Sequence, residues 1–202
     1  AAWGHAVQRQ WTMSLCVTEN GAVIFHAGGR LERMSPYRRG RDRARLLTIA
    51  EQLTHRFDDL VFADDNFGRI SDITFDIGEQ RKLPADVVTA VCEAAHALGA
   101  RTFLSSIHLH ITLDGDDKAS GTVHGLGAMF GIDPTAARRA YAFVGDSGND
   151  EPCFSAFATT FGVANIAPYF GRLSRPPRYV SSESQGAGFV AIANRILALR
   201  AV

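Results

Sequence analysis

A short acidic stretch, GDSGND at residues 145–150, carries the residue types best suited to chemistry in this sequence. It follows the apolar run 141–144, which predicts a buried strand, and precedes 152–157, which predicts a short helix. In open α/β sheets ligands bind at the carboxyl ends of strands, and carboxylate oxygens suit Mg²⁺. The same residue types are common in plain loops, so a turn that binds nothing is the alternative interpretation.

The overall composition excludes several classes of protein. The chain has 202 residues, with 21 basic and 21 acidic side chains and no net charge. Balanced charge gives no support for a nucleic-acid or membrane-surface partner, and the basic run at 38–45 is interpreted as the solvated start of a helix. No apolar run approaches the roughly 18 residues that a membrane span needs. Three widely spaced cysteines are typical of a reduced, cytoplasmic protein. We expect the protein to be a monomer or a homodimer.

The elements that must position the acidic stretch fall into three groups along the chain. Residues 3–11 predict a helix, and 14–18 and 23–25 predict two strands joined by an Asn20-Gly21 hairpin turn. Gly28 and Gly29 then form a plausible linker.

The middle group has a different pattern. It contains a helix at 43–57, an alternating strand at 70–77, a helix from Pro84 to Gly99, and a long strand or hairpin at 102–113. The sequence therefore predicts a self-contained α+β insert that could act as a lid.

The last group alternates between helices and strands. Helices are predicted at 118–130, after Asp133-Pro134, and at 189–199, with strands at 141–144, 161–164 and 179–180. Such alternation is typical of a parallel sheet covered by helices on both faces.

Three motifs in order resemble the haloacid dehalogenase superfamily, specifically its Cof and mannosyl-3-phosphoglycerate phosphatase type. They are a lysine at a helix start in DKASG (117–121), the GDSGND stretch, and VANI at 163–166. ENGA at 19–22 and SSIHLH at 105–110 also look like elements of that branch. The resemblance implies an α/β fold, in which a Rossmann-like parallel-sheet core (1–28 and 115–202) carries an inserted α+β cap domain (29–114).

The resemblance also implies a reaction. It is hydrolysis of a phosphorylated sugar or sugar-acid derivative by a Mg²⁺-dependent phosphatase, through an aspartyl-phosphate intermediate. A mannosyl- or glucosyl-phosphoglycerate is the favoured substrate, and sucrose or trehalose phosphate is next.

Each site residue has an implied role. Lys118 would contact the phosphoryl group and the nucleophile, and Asp146 and Asp150 would serve the metal. Asp150 and Asn149 would hold the metal's waters or orient Lys118, and Asn165 resembles the family's asparagine near the site. Asp150 as a cap of the following helix, and Asn165 as a strand-end turn residue, remain the alternatives.

Substrate selection is assigned to the insert. Ser106, His108 and His110 share one face of a strand, and they could hydrogen-bond sugar hydroxyls or a carboxylate. Arg69 and Asp72 are further candidates. The alternative is a polar face that is simply exposed to water.

One motif of the family is absent. These enzymes carry their nucleophile in Asp-x-Asp-Gly-Thr on a first strand, and no Asp-x-Asp-Gly occurs in this sequence. We expect the motif upstream of residue 1. The alternative is a non-catalytic sugar-phosphate-binding or regulatory protein. A pocket like that of response regulators is a third interpretation, which the long insert at 30–113 argues against.

Overall fold

Two antiparallel sheets and one parallel sheet organise the chain. The computed structural model describes residues 2–11, 13–28, 30–34 and 39–201. The chain divides into two units, Ala1–Gly125 and Leu126–Val202. Both antiparallel sheets belong to the first unit and the parallel sheet to the second. The predicted α/β class is confirmed. Within the described ranges, no helix is both long and apolar enough to span a bilayer.

The first antiparallel sheet follows an amino-terminal helix, α1 (Ala2–Gln10). Its strands are β1 (Leu15–Thr18), β2 (Val23–His26) and β3 (Leu31–Arg33), paired in that order. The predicted hairpin is confirmed, but β3 was not predicted, because three residues are too few to show alternation. Gly28, predicted to lie in a linker, occupies the β2–β3 connection with φ of 84°, and Gly29 lies outside the described residues.

The second antiparallel sheet has the strand order β4-β5-β7-β6 and carries two helices. Its elements are α2 (Arg39–Arg56), β4 (Val61–Phe62), β5 (Asp72–Asp76), α3 (Ala85–Ala97), β6 (Arg101–Leu104) and β7 (His108–Thr112). The helix predicted within the basic run is confirmed from Arg39 onward, and Arg38 is not among the described residues. Of the two interpretations of 102–113, the hairpin is right: β6 and β7 pair antiparallel, and Ser106 lies between them.

The two faces of the central strands β5 and β7 differ in chemistry but are both largely buried. Ile73, Phe75, Leu109 and Ile111 point into an apolar core that α2 and α3 complete. All five residues of β5 are buried, including its polar ones, although the alternation predicted a half-exposed strand. The polar side chains can be buried because they hydrogen-bond to one another and to nearby loops.

The first unit ends within α4 (Lys118–Phe130), which has the predicted bounds. The second unit holds α5 (Pro134–Ala140), β8 (Ala142–Gly145), α6 (Glu151–Ala156), β9 (Thr159–Gly162), β10 (Tyr179–Val180) and α7 (Gln185–Arg200). Strands β10, β9 and β8 are parallel in that order, as the alternation predicted. Asp133 caps α5 as predicted, because its carboxylate accepts bonds from the Thr135 and Ala136 amides.

Strand β8 is less buried than its apolar sequence predicted. Ala142 is exposed, and Phe143 and Val144 are half-buried. Among the described residues β8 has one partner strand, β9, so one edge lacks a neighbour. Phe143 instead packs against Phe154 of α6, with ring centroids 5.7 Å apart. This packing places α6, and the acidic turn before it, at the carboxyl end of β8.

Candidate functional site

The acidic turn after β8 is organised by Asp150. Its Oδ2 accepts hydrogen bonds from the Asp146 amide at 2.8 Å and the Ser147 amide at 3.1 Å. The Asp150 side chain is buried, and it makes no capping bond to α6. Asp150 occupies the N-cap position of α6, as the alternative interpretation placed it, but its carboxylate points back into the turn and does not cap that helix. Asp150 fixes the backbone that presents Asp146.

Gly145 makes this arrangement possible by its size. A Cβ added there would lie 2.7 Å from Cβ, Cγ and Oδ2 of Asp150. Real Cβ atoms do not approach other atoms so closely, and a packed interior has no spare room for the extra carbon. Glycine is thus required at the end of β8 so that the Asp150 side chain can fold against the strand.

Asp146 and Asn165 are brought together, although 19 residues separate them in sequence. Asn165 Nδ2 donates to Asp146 Oδ2 at 3.0 Å, and Asn165 Oδ1 accepts from the Gln185 amide at 2.9 Å. Asn165 therefore ties the Asp146 carboxylate to the first residue of α7. That hydrogen bond uses Oδ2 and leaves Oδ1 for a ligand.

Asn149 supports the acidic turn from within, and Tyr169, which sequence reasoning missed, lies beside it. Ser147 Oγ donates to Asn149 Oδ1 at 2.8 Å, so Asn149 supports the turn. Tyr169 lies beside Gly148, since a Cβ added at Gly148 would be 3.6 Å from the Tyr169 ring. Burial and the negative charge of Asp146 raise the pKa of Tyr169, while Arg172 opposes the shift. No sequence signal marks Tyr169, because it lies in the irregular 3₁₀ segment Ala164–Arg172.

Lys118 is the first residue of α4 and is half-buried. The helix start is capped reciprocally: the Ser120 amide donates to Asp117 Oδ1 at 2.8 Å, and the Asp117 amide donates to Ser120 Oγ at 2.9 Å. This pattern is a capping box with the residue types exchanged. It fixes the direction in which the helix presents Lys118.

Arg69 lies between two carboxylates. Its Nε and Nη2 donate to Asp65 at 2.9 and 2.7 Å, and its Nη1 donates to both Asp72 oxygens at 3.2 and 3.1 Å. Burial favours the neutral acid at Asp72, but hydrogen bonds from His110 and the Arg69 charge outweigh it, so the pKa of Asp72 is lowered. Burial likewise disfavours the charged guanidinium, but Asp65 and Asp72 reverse that effect and raise the pKa of Arg69.

His110 joins the same network. Its Nδ1 lies 3.0 Å from Asp72 Oδ2 and 3.0 Å from Thr74 Oγ1. His108, two residues earlier on β7, pairs through Nε2 with Glu79 Oε2 at 2.8 Å. The interpretation of this face as exposed to water is wrong for His110, which is buried because its neighbours satisfy its ring nitrogen.

Ser106 does not share the face of His108 and His110. It is exposed in the β6–β7 turn, because the hairpin reverses the chain at that point. The structure thus brings together Arg69 and His110, with the His108 and His110 rings 5.9 Å apart, but leaves Ser106 at the end of the hairpin.

The acidic turn offers oxygen donors of the kind that Mg²⁺ prefers. Mg²⁺ takes one or two protein carboxylates and keeps several waters or a phosphate. Asp146 offers one carboxylate oxygen on a rigid turn, which fits that requirement, and Asp150 would fit as its support. Among the described residues, no three His, Cys, Asp or Glu side chains converge as a larger metal cluster would require. A cavity of about 620 Å³ near the end of α6 is lined by none of the predicted site residues.

Comparison with known proteins gives structural relatives only. Neither a protein-family model nor a curated protein sequence matches the chain. A Thermoplasma acidophilum protein of solved structure is 22% identical, with a TM-score of 0.65, over 88% of this chain and 69% of its own. The sucrose-phosphatase of Synechocystis sp. PCC6803, solved with sucrose and phosphate, is 17% identical with a TM-score of 0.67, over 96% and 80%.

A third solved structure carries a superfamily name. It is a HAD subclass IIB sugar phosphatase, 12% identical with a TM-score of 0.62, over 95% of this chain and 78% of its own. The chain has the haloacid dehalogenase superfamily fold. The resemblance inferred from the lysine, acidic and Val-Ala-Asn motifs is therefore confirmed at the level of the fold. In the haloacid dehalogenase fold a Rossmann-like core carries a cap, which agrees with the predicted fold class.

Proposed function

We propose that this chain is part of a Mg²⁺-dependent phosphomonoester hydrolase that acts on a phosphorylated sugar or sugar-acid derivative. One observation carries the proposal: the Asp146 carboxylate is held at the carboxyl end of β8, in a turn that Asp150 orders and Asn165 braces. Ligand-binding groups of open parallel sheets are expected at that place. The fold shared with sugar phosphatases supports the same reaction class.

Each site residue has its own role in the proposed reaction. Bound at Asp146, Mg²⁺ would supply positive charge to the phosphoryl oxygens. Lys118 is the protein cation for the same group, and Asn149, Asp150 and Asn165 hold the metal ligand in place. The proposed reaction passes through an aspartyl-phosphate intermediate, which requires an aspartate nucleophile.

Substrate choice is assigned to the cap domain, for which we retain the bounds 29–114 and the core bounds 1–28 and 115–202. His108 and His110 are the sugar-binding candidates on β7, and Ser106 is a candidate at the hairpin turn. Arg69 already binds two carboxylates, so we assign it chiefly to holding Asp72 and His110 in place. Mannosyl-3-phosphoglycerate is the favoured substrate, and the sucrose-phosphatase neighbour supports a sugar phosphate in general.

The test uses the complete gene product that contains this chain. Phosphate release from para-nitrophenyl phosphate and from mannosyl-3-phosphoglycerate is measured with Mg²⁺ and after chelation. We expect Asp146→Asn to lower kcat by at least about 10²-fold, because loss of one ligand charge weakens the metal on which transition-state stabilisation depends. Asp86→Asn, the same change at an exposed helix position, is the matched control.

Two results would contradict the proposal. Full turnover in chelator would remove the metal assignment. Binding of the sugar phosphate without any turnover in the wild-type protein would instead favour the non-catalytic alternative.

A further inference from the structure

The turn before β2 has an unusual backbone. Glu19, Asn20 and Gly21 have φ values of 50°, 52° and 105°, so three consecutive residues lie in the left-handed region. An Asn-Gly hairpin turn accounts for two such residues, but a glutamate with positive φ is strained. Strain of this kind persists only where surrounding contacts compensate for it.

The compensating contact is made by the Glu19 carboxylate. Its Oε1 and Oε2 accept from the Ile70 amide at 3.0 and 3.1 Å. Its Oε2 also accepts from the Ser71 amide and from Ser71 Oγ, each at 2.6 Å. A carboxylate that accepts backbone and hydroxyl donors together forms short, charge-assisted bonds. Glu19 thus anchors the segment that leads into β5.

The anchored segment lies beside the polar network of the cap sheet. Arg69 precedes Ile70, and Asp72 follows Ser71, so both neighbours of the anchored pair belong to the network that holds His110. A shift of the 70–71 backbone would therefore move both Arg69 and Asp72.

The other side of the same turn packs against the start of α4. A Cβ added at Gly21 would lie 1.9 Å from the Asp117 carbonyl oxygen, and one added at Gly121 would lie 2.2 Å from the Gly21 oxygen. The backbone of the turn at Gly21 therefore contacts the chain both just before Lys118, at Asp117, and just after it, at Gly121. One three-residue turn contacts both the cap segment 70–71 and the helix turn that presents Lys118.

We propose that Glu19 is a positioning residue: its carboxylate fixes the cap segment 69–72 relative to the start of α4. This inference rests on the proposed function. A substrate that binds through the cap needs the cap residues and Lys118 at a fixed distance and orientation, whereas a small aryl phosphate does not contact the cap. The Glu19 contact should therefore matter for sugar phosphates and little for aryl phosphates.

The test compares Glu19→Gln with Glu51→Gln, the same change at an exposed position of α2. We expect Glu19→Gln to speed amide hydrogen exchange at Ile70 and Ser71 by about tenfold and to lower kcat/KM for mannosyl-3-phosphoglycerate by about tenfold. Turnover of para-nitrophenyl phosphate should change by less than about threefold. Glu51→Gln should change none of the three.

A second variant covers the case in which Glu19→Gln fails to fold. Glu19→Gly also removes the carboxylate, but glycine accepts the observed φ without strain, so the turn can persist. It should show the same separation between the two substrates.

Each outcome decides a different part of the inference. Unchanged exchange at Ile70 and Ser71 would overturn the anchor, whatever the activity. Faster amide exchange together with equal losses of activity on both substrates would show that Glu19 supports the fold and does not position the cap for substrate, which would overturn the positioning role. No wild-type turnover on either phosphate would overturn the proposed function and the positioning role together, while exchange would still report whether the anchor exists.

Discussion

Removing the Asp150 carboxylate should destabilise the acidic turn far more than removing an equivalent carboxylate at the surface. Asp150 Oδ2 accepts two backbone amides at 2.8 and 3.1 Å. Asp133 Oδ1 also accepts two backbone amides, at 2.9 and 3.1 Å, as the cap of α5. These two pairs of bonds have similar lengths, and the two carboxylates differ in burial, since Asp150 is 3% exposed and Asp133 is exposed.

The expected magnitudes follow from that difference. In Asp150→Ala the Ser147 amide stays buried without an acceptor, and the Asp146 amide reaches water only partly. Unsatisfied buried donors cost about 1–3 kcal/mol each, which gives about 3 kcal/mol for the pair. Asp133→Ala exposes its amides to water and should cost about 1 kcal/mol, as is usual for a helix cap. In a chain of this size the corresponding Tm losses are about 6–12 °C and about 2–4 °C.

The assay is urea unfolding of both variants beside the wild-type protein, with amide exchange at Asp146 and Ser147 as a local probe. The local probe is needed because a chain with two units need not unfold in one step. Asp150→Asn keeps an oxygen acceptor and should fall between the other two variants. Equal losses in Asp150→Ala and Asp133→Ala would refute the reasoning, because burial would then have no effect at this turn.

Two further predictions concern the second antiparallel sheet, β4-β5-β7-β6. His108→Ala should lower kcat/KM for a sugar phosphate by about tenfold but leave turnover of an aryl phosphate nearly unaffected, because remote contacts act only on substrates that reach them. Steady-state kinetics on both substrates, with His96→Ala as the control, checks this prediction. Equal losses on the two substrates would contradict it. Burial disfavours charge at Asp76, but backbone amides from Glu79, Gln80, Gly78 and Arg81 outweigh it and hold its pKa below the usual range. The ionised Asp76 carboxylate therefore stabilises the folded state above its unfolded pKa, and this stabilisation is lost as pH falls through its folded pKa. In urea unfolding from neutral pH to about pH 3, the free energy of unfolding should therefore fall less in Asp76→Asn than in the wild-type protein. An unchanged pH dependence would contradict the assignment.

The sequence by itself determined the class of the fold and the order of its helices and strands, apart from the short strands β3 and β4. Helix α4 has the predicted bounds because apolar periodicity and a polar start define it locally. The cap at Asp133 and the turn at 145–150 were also readable, because capping and turn formation depend on neighbouring residues. Where the signal was short, as for β3, sequence reasoning had nothing to detect.

The tertiary structure alone decided which polar groups serve the site and which serve the fold. Asp146 and Asp150 are the same residue type four positions apart, yet one is presented by the turn and the other is buried within it. Asn165 reaches Asp146 across 19 residues, and Glu19 reaches Ser71 across 52. Hydrogen bonds between residues so far apart depend on how elements pack, and local composition carries no record of that packing. For the same reason the polar face of strands β5 and β7 was predicted to be half-exposed, whereas the structure buries it around Arg69, Asp72 and His110.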